Sequence, residues 1–312
     1  MTYKENFPNT KLYEKDVNEL LDSDFPQLVL ELNESEPSVK ELNLKKVDIV
    51  TSGFPCQAFS VAGYRQGFED EKGRGNHFFS TAKVIELMQP KAFLLENVKN
   101  LAGHDKGNTI KVIQEIIFKL GYSYIQFCLN AKDYGNLPQT RERIYIVGFR
   151  GEAGYENNES NKSHIILTHQ FKIPEKIKLK QNIHDVLFDD KQDDKFYYNS
   201  DHQYYDELDS SMTSRDTIYQ WRRVYVRENK RNVCPTLKAN MGTGGHNVPL
   251  IRDAYGIRKL TPDECLRFQG FPDEFKFPAE MSQSHKYKQA GNSVAVPVVK
   301  RIAKEIVRVL SN

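Results

Sequence analysis

Short apolar runs alternate with stretches of helical periodicity along residues 1–150. KKVDIVTSG (45–53) is a brief apolar run that ends in a turn residue, as a buried strand does. His77 to Met88 carries Phe78, Ala82, Ile85 and Leu87 at helical spacing, and Pro90 stops it. AFLLENV (92–98) reads as a second buried strand. Asn108 is placed to cap a helix over TIKVIQEIIFKL, and Gly121 stands where that helix should end. YSYIQFCLN and RIYIVGF follow as strands. Strands separated by helices predict an α/β fold with a parallel, doubly wound sheet.

The pattern then changes. From 151 to 256 the chain is polar and irregular, including the acidic, tyrosine-rich LFDDKQDDKFYYNSDHQYYDELDSS, which has neither a helical nor a strand period. WRRVYVRENKR gathers Arg222, Arg223, Arg227, Lys230 and Arg231 around Trp221 and Tyr225. After Gly256 helical patterning returns: Thr261-Pro-Asp-Glu264 reads as a capping box with Pro at the first helical position, and VVKRIAKEIVRVL as a final amphipathic helix. A sheet interrupted by an inserted domain accounts for this return.

Composition narrows the function classes. Eighteen Phe and sixteen Tyr in 312 residues supply a large core. No run approaches the roughly 20 apolar residues of a membrane span. The start MTYKENFPNT lacks a secretory pattern, and Cys56, Cys128, Cys234 and Cys265 stand far apart with no CxxC. The expectation is a cytoplasmic protein with reduced thiols and no metal site. The net charge is only +2, so any nucleic-acid contact rests on local clusters.

Several residues can carry chemistry. Cys56 sits in the turn GFPCQAFS after the first strand, where α/β folds place ligands; it is either an activated thiolate or a small buried hydrophobe. The glycine-bearing stretch that follows, to His77, is either a lid or a surface loop. Glu96 ends an apolar strand, so it is either a partly desolvated proton donor or a strand-end carboxylate in water. Arg141 and Arg143 fall on one side of the chain by alternation, as a pair of site donors or of solvated charges. Gly242-Thr-Gly244-Gly245 does not join a strand to a helix, so it is a poor phosphate turn. The basic stretch from Trp221 to Arg231 suits phosphates, or is a solvated face.

Taken in order, GFPCQAFS, GRGNHFF, ENV, QTRERIY, LTPDECLRFQGFP and YKQAGNSV closely resemble the DNA (cytosine-5) methyltransferases, from about residue 3 to the C-terminus. The resemblance implies a Rossmann-like methyltransferase sheet with an irregular target recognition domain inserted. The catalytic domain would cover 1–155, the recognition domain 156–256, and the return to the catalytic domain 257–312. It implies Cys56 as the nucleophile, Glu96 as the acid holding cytosine N3, Arg143 at cytosine O2 with Arg141 beside it, and Asn97 ordering the catalytic turn. It implies S-adenosyl-L-methionine as cofactor, near Asp16, Pro55, Asn292 and Ser293, and double-stranded DNA as partner. Arg222, Arg223, Arg227, Thr236 and Leu237 would serve DNA binding.

The implied reaction is methylation at cytosine C5 through a Cys–C6 adduct on a flipped base, as the modification half of a restriction-modification system. The family's FxGxGG turn and the acidic residue after it are missing, and Asp16 arrives early. This predicts an incomplete N-terminal segment or a second polypeptide that supplies it, with weak cofactor binding. The competing expectation is a non-catalytic DNA-binding fragment or one subunit of a split enzyme. A zinc deaminase is excluded, because Phe59 stands where its second cysteine belongs.

Overall fold

The computed structural model describes residues 1–10, 12–14, 16–19, 21, 47–54, 77–151, 170–222, 224–243 and 247–311. They fall into two compact units. One comprises 13–129, 143–174 and 302–312; the other comprises 1–12, 130–142 and 175–301.

The first unit is built on a four-stranded sheet of order β1-β2-β4-β3, with β1 Ile49–Ser52, β2 Ala92–Val98, β3 Ile125–Asn130 and β4 Glu142–Phe149. β1 and β2 are parallel, and α1 (His77–Met88) lies between them in the chain. Phe78, Ala82 and Ile85 of α1 are buried, whereas Leu87 is exposed and falls off the predicted face. α2 (Asn108–Lys119) buries Ile113, Ile116 and Ile117. Its N-cap is Gly107 rather than the expected Asn108: the chain enters the helix through left-handed backbone at Asp105, Lys106 and Gly107, and glycine takes φ 88° without a Cβ penalty. Gly121 ends the segment at φ 80°, where it was expected.

The expectation of a wholly parallel sheet is corrected. β4 lies between β2 and β3 and runs antiparallel to β2. Only residues 131–141 join the neighbouring β3 and β4, too few for a parallel crossover of about a dozen residues or more. Apolar runs report burial, not direction.

The second unit carries a five-stranded sheet of order β5-β9-β8-β6-β7, with β5 Tyr197–Tyr198, β6 Tyr219–Trp221, β7 Val226–Glu228, β8 Leu250–Arg252 and β9 Ile257–Lys259. Every pairing is antiparallel. It runs past residue 256. The tyrosine-rich stretch is structured after all: besides β5 it forms α3 (Tyr205–Ser211). Elements this short leave no readable period, and their order comes from an aromatic cluster in which Tyr204 lies 4.7 Å from Trp221.

α4 (Pro262–Phe268) opens with the predicted capping box: Thr261 Oγ1 accepts from the Glu264 N–H at 3.1 Å, and Glu264 Oε2 accepts from the Thr261 N–H at 2.8 Å. Glu264 also receives both arms of the fully buried Arg258 guanidinium, at 2.7 and 2.8 Å. Arg258 Nε reaches Asp253 at 2.6 Å, and Tyr197 donates to the same carboxylate oxygen at 2.9 Å. Replacing Glu264 by Ala leaves a buried cation short of its main partner and removes one half of the capping box, the bond from the Thr261 N–H. The expected loss is about 3–5 kcal/mol, read by urea denaturation.

Burial alone would raise the Asp253 carboxyl, but the bonds from Arg258, Tyr255 and Tyr197 outweigh it and hold it below the usual range. The stability this acid contributes is therefore present above its unfolded value near about 4 and lost as pH falls through the lower folded value. Asp253→Asn should be destabilised at pH 7, and in urea titrations the gap to wild type should narrow as the pH falls below the ordinary carboxylate range.

α5 (Gln283–Asn292) and α6 (Val296–Leu310) complete the chain. Val298, Ile302, Ile306 and Val309 of α6 are buried, at the helical spacing read from the sequence. No helix among the described residues is long and apolar enough to cross a membrane.

Candidate active site

β2 and β4 determine which side chains meet at the end of the first unit's sheet. Glu96 is opposite Tyr145 and Val98 is opposite Arg143. Side chains alternate along each strand, so Glu96 and Arg143 are diagonal neighbours on one face, within reach of each other as long side chains. They form an ion pair, Arg143 Nε to Glu96 Oε1 at 3.0 Å, with only 14% and 17% of their side chains exposed. Glu96 is therefore not a lone strand-end carboxylate in water. Its other oxygen, Oε2, lies over Gly53, 3.8 Å from where a Cβ would stand.

Asn97 points the other way. It is buried, and its amide donates to the Phe54 carbonyl at 2.8 Å while its own oxygen accepts from the Val98 N–H. Phe54 packs on Phe78 at 5.5 Å between ring centres. The backbone is thus tied down two residues before Cys56. Cys56, Pro55 and the following stretch to Asn76 lie outside the described residues, as do Arg223, Gly244 and Gly245.

Two of the described cysteines are shielded from reaction. Burial pushes the thiols of Cys234 and Cys265 well up, and the remaining one, Cys128, is exposed. Cys234 and Cys265 should resist iodoacetamide in the folded protein and react only in urea, as peptide mapping would show. Among the described residues no group of three or more His, Cys, Asp or Glu could hold a metal ion.

Arg141 departs from its expected place beside Arg143. Strand pairing begins at Glu142, so alternation does not extend back to Arg141. Its side chain is buried in the second unit, where it donates to the carbonyls of Leu237, Gly291 and Ser293. Thr236 and Leu237 are likewise turned inward: Thr236 Oγ1 donates to the Thr140 carbonyl at 2.7 Å, and Leu237 is 1% exposed in the core. The Leu237 side chain is thus committed to the core and not exposed as a DNA-facing side chain would be.

Arg222 and Arg227 are exposed on the β6–β7 hairpin, whose turn is closed by the Arg222 N–H donating to the Tyr225 carbonyl. Val224 and Tyr225 at the tip are 81% and 54% exposed, whereas Trp221 is core.

Of the expected cofactor residues, Asp16 is exposed and accepts from the Asn18 N–H at 2.8 Å. Asn18 in turn accepts from Ser80 of α1 at 2.5 Å. Asn292 is exposed and lines an open cavity of about 410 Å³ with His285, Lys288, Gln289 and Ser293. The Ser293 hydroxyl donates to the Ala290 carbonyl at 2.7 Å and so serves the end of α5. Asp16 and Asn292 each expose polar atoms, and the Ser293 hydroxyl, while donating to Ala290, keeps its accepting capacity on the wall of the cavity it shares with Asn292.

A family model described as C-5 cytosine-specific DNA methylase matches residues 1–308. The chain belongs to the C-5 cytosine-specific DNA methylases. It is a DNA cytosine-5 methyltransferase. This methylase is 51% identical over 308 residues to the Type II methyltransferase M.Bsp6I of Bacillus sp. (strain RFL6), covering 98% of this chain and 87% of that one. It is 35% identical to the Type II methyltransferase M.HhaI of Haemophilus parahaemolyticus, covering 90% and 84%. Among solved structures, a DNMT2 of Spodoptera frugiperda superposes with TM-score 0.62 at 18% identity, over 98% of the methylase and 88% of that chain. At that identity the likeness speaks for the shared Rossmann-like methyltransferase fold.

Two features of the described structure escaped the sequence reading. The Arg258–Glu264–Asp253 cluster was hidden because Glu264 already had a role as a capping residue. The buried Gln139, which donates to the Phe268 carbonyl at 2.8 Å, stands in a polar stretch with no apolar period to mark its burial.

Proposed function

We infer that this methylase modifies cytosine at C5 within a short double-stranded DNA sequence, through a transient bond between Cys56 Sγ and cytosine C6. The observation that carries the reading is the Glu96–Arg143 pair beside a backbone turn fastened by Asn97. C5 of cytosine is a weak nucleophile. Attack of the Cys56 thiolate on C6, with a proton or hydrogen bond supplied to N3 by Glu96, places the electron pair at C5 as an enamine. Arg143 donates to O2 and holds the ring in plane with both groups. After methylation a base removes the C5 proton, the C6–S bond breaks, and the thiolate and aromatic ring return. A thiolate suits this role because the bond must form and then break.

S-adenosyl-L-methionine, when bound, supplies an electrophilic methyl group. The exposed amide of Asn292 and the Ser293 hydroxyl suit its methionine end, and the family resemblance assigns Asp16 and Pro55 to its adenine. The segment 156–256 serves target recognition, with Arg222, Arg223 and Arg227 on DNA phosphates. The shared description of its relatives as Type II methyltransferases supports a place beside a restriction enzyme.

Methyl transfer from labelled cofactor to unmethylated plasmid, followed by bisulfite sequencing, tests the reading. One sequence context should be modified; no incorporation by the folded chain contradicts it. Exchanging residues 175–259 for the matching segment of another family member should transfer the preferred context. An unchanged context would place recognition elsewhere.

A further inference from the structure

We propose that Arg141 is a positioning residue that sets target selectivity, by pinning the Thr236–Leu237 segment to the end of α5. The inference rests on the reading of 156–256 as the recognition segment.

The guanidinium forks across two stretches of chain. Nη1 donates to the Leu237 carbonyl at 2.9 Å, and Nη2 donates to the Ser293 carbonyl at 2.5 Å and the Gly291 carbonyl at 3.3 Å. Gly291 and Ser293 end α5, so the cation also meets the negative end of a helix dipole. Charge-assisted bonds of this kind are stronger than neutral ones, and burial screens them little.

The same seam is closed from other sides. Thr236 Oγ1 donates to the Thr140 carbonyl, and the Thr140 N–H donates to the Cys234 carbonyl at 2.8 Å. A Cβ on Gly291 would fall inside van der Waals contact with the backbone of Lys238 and Ala239, so the helix end and the recognition segment touch backbone to backbone. The arginine therefore fixes where the chain from 234 to 239 emerges, without touching base or cofactor itself.

Lysine at position 141 keeps the charge but cannot bridge both segments at once, because its single ammonium lacks the planar fork. The readout is a ratio. Bisulfite sequencing of plasmid treated with the full chain gives methylation at the wild type's preferred context relative to contexts one base pair away. A general loss of stability lowers both together and leaves the ratio unchanged. Arg141→Lys should lower the ratio roughly 10- to 100-fold, and kcat should fall less than the ratio. Gly291→Ala, which wedges the same seam open with Arg141 intact, should move it in the same direction and decides the matter if Arg141→Lys does not fold. A wild-type ratio in the folded variant overturns the proposal. Wild type that methylates no context overturns the functional reading instead.

Discussion

Glu96→Gln is expected to lower methyl transfer by roughly 100- to 10 000-fold while leaving the fold and DNA affinity near those of wild type. The amide has the size of the carboxyl, and its oxygen can still accept from Arg143 Nε, now 3.0 Å from Glu96 Oε1. What it cannot do is deliver a proton to N3. Without that, thiolate addition at C6 must build an anion on the ring. The half-buried setting of the pair matters, because water does not reach it freely enough to serve as a substitute acid. Single-turnover assays with labelled cofactor, alongside a DNA-binding titration, separate the two effects. Turnover near the wild-type rate would remove Glu96 from the proton path.

Cys56→Ser is the second large expectation. A serine hydroxyl is ionised far less readily than a thiol and leaves carbon poorly once bonded, so the C6 adduct neither forms nor resolves at a useful rate. Methylation should vanish while binding to DNA persists. The buried thiols of Cys234 and Cys265 cannot take over. Residual turnover near wild type would take Cys56 out of the mechanism.

The parts of this molecule that repeat a period were legible in the sequence. β1 to β4, α2 and α6 each carry enough apolar residues at one spacing to reveal themselves, and the capping box at Thr261 carries its own chemistry. Strand direction was not legible: RIYIVGF reads the same whether it runs with or against AFLLENV. Nor were β5 and α3, whose order comes from aromatic neighbours such as Trp221, distant in sequence. At the site, the meeting of Arg143 with Glu96 comes from strand pairing, which alternation along one strand does not reveal. The same rule misplaced Arg141, which precedes the first paired residue and is claimed by three carbonyls from far along the chain. Leu237 failed for a related reason. Its side chain fills the core, whereas Arg222 and Arg227 of the β6–β7 hairpin are exposed.

A duplex made with 5-fluorocytosine in place of every cytosine interrogates the covalent step itself. Fluorine at C5 cannot leave as a proton does, so the ring cannot be released once Cys56 has added and methylation has followed. Incubated with the full chain and S-adenosyl-L-methionine, this duplex should yield a protein–DNA species that survives SDS and is absent from the Cys56→Ser variant. A preparation that methylates ordinary DNA yet gives no such species would contradict the account.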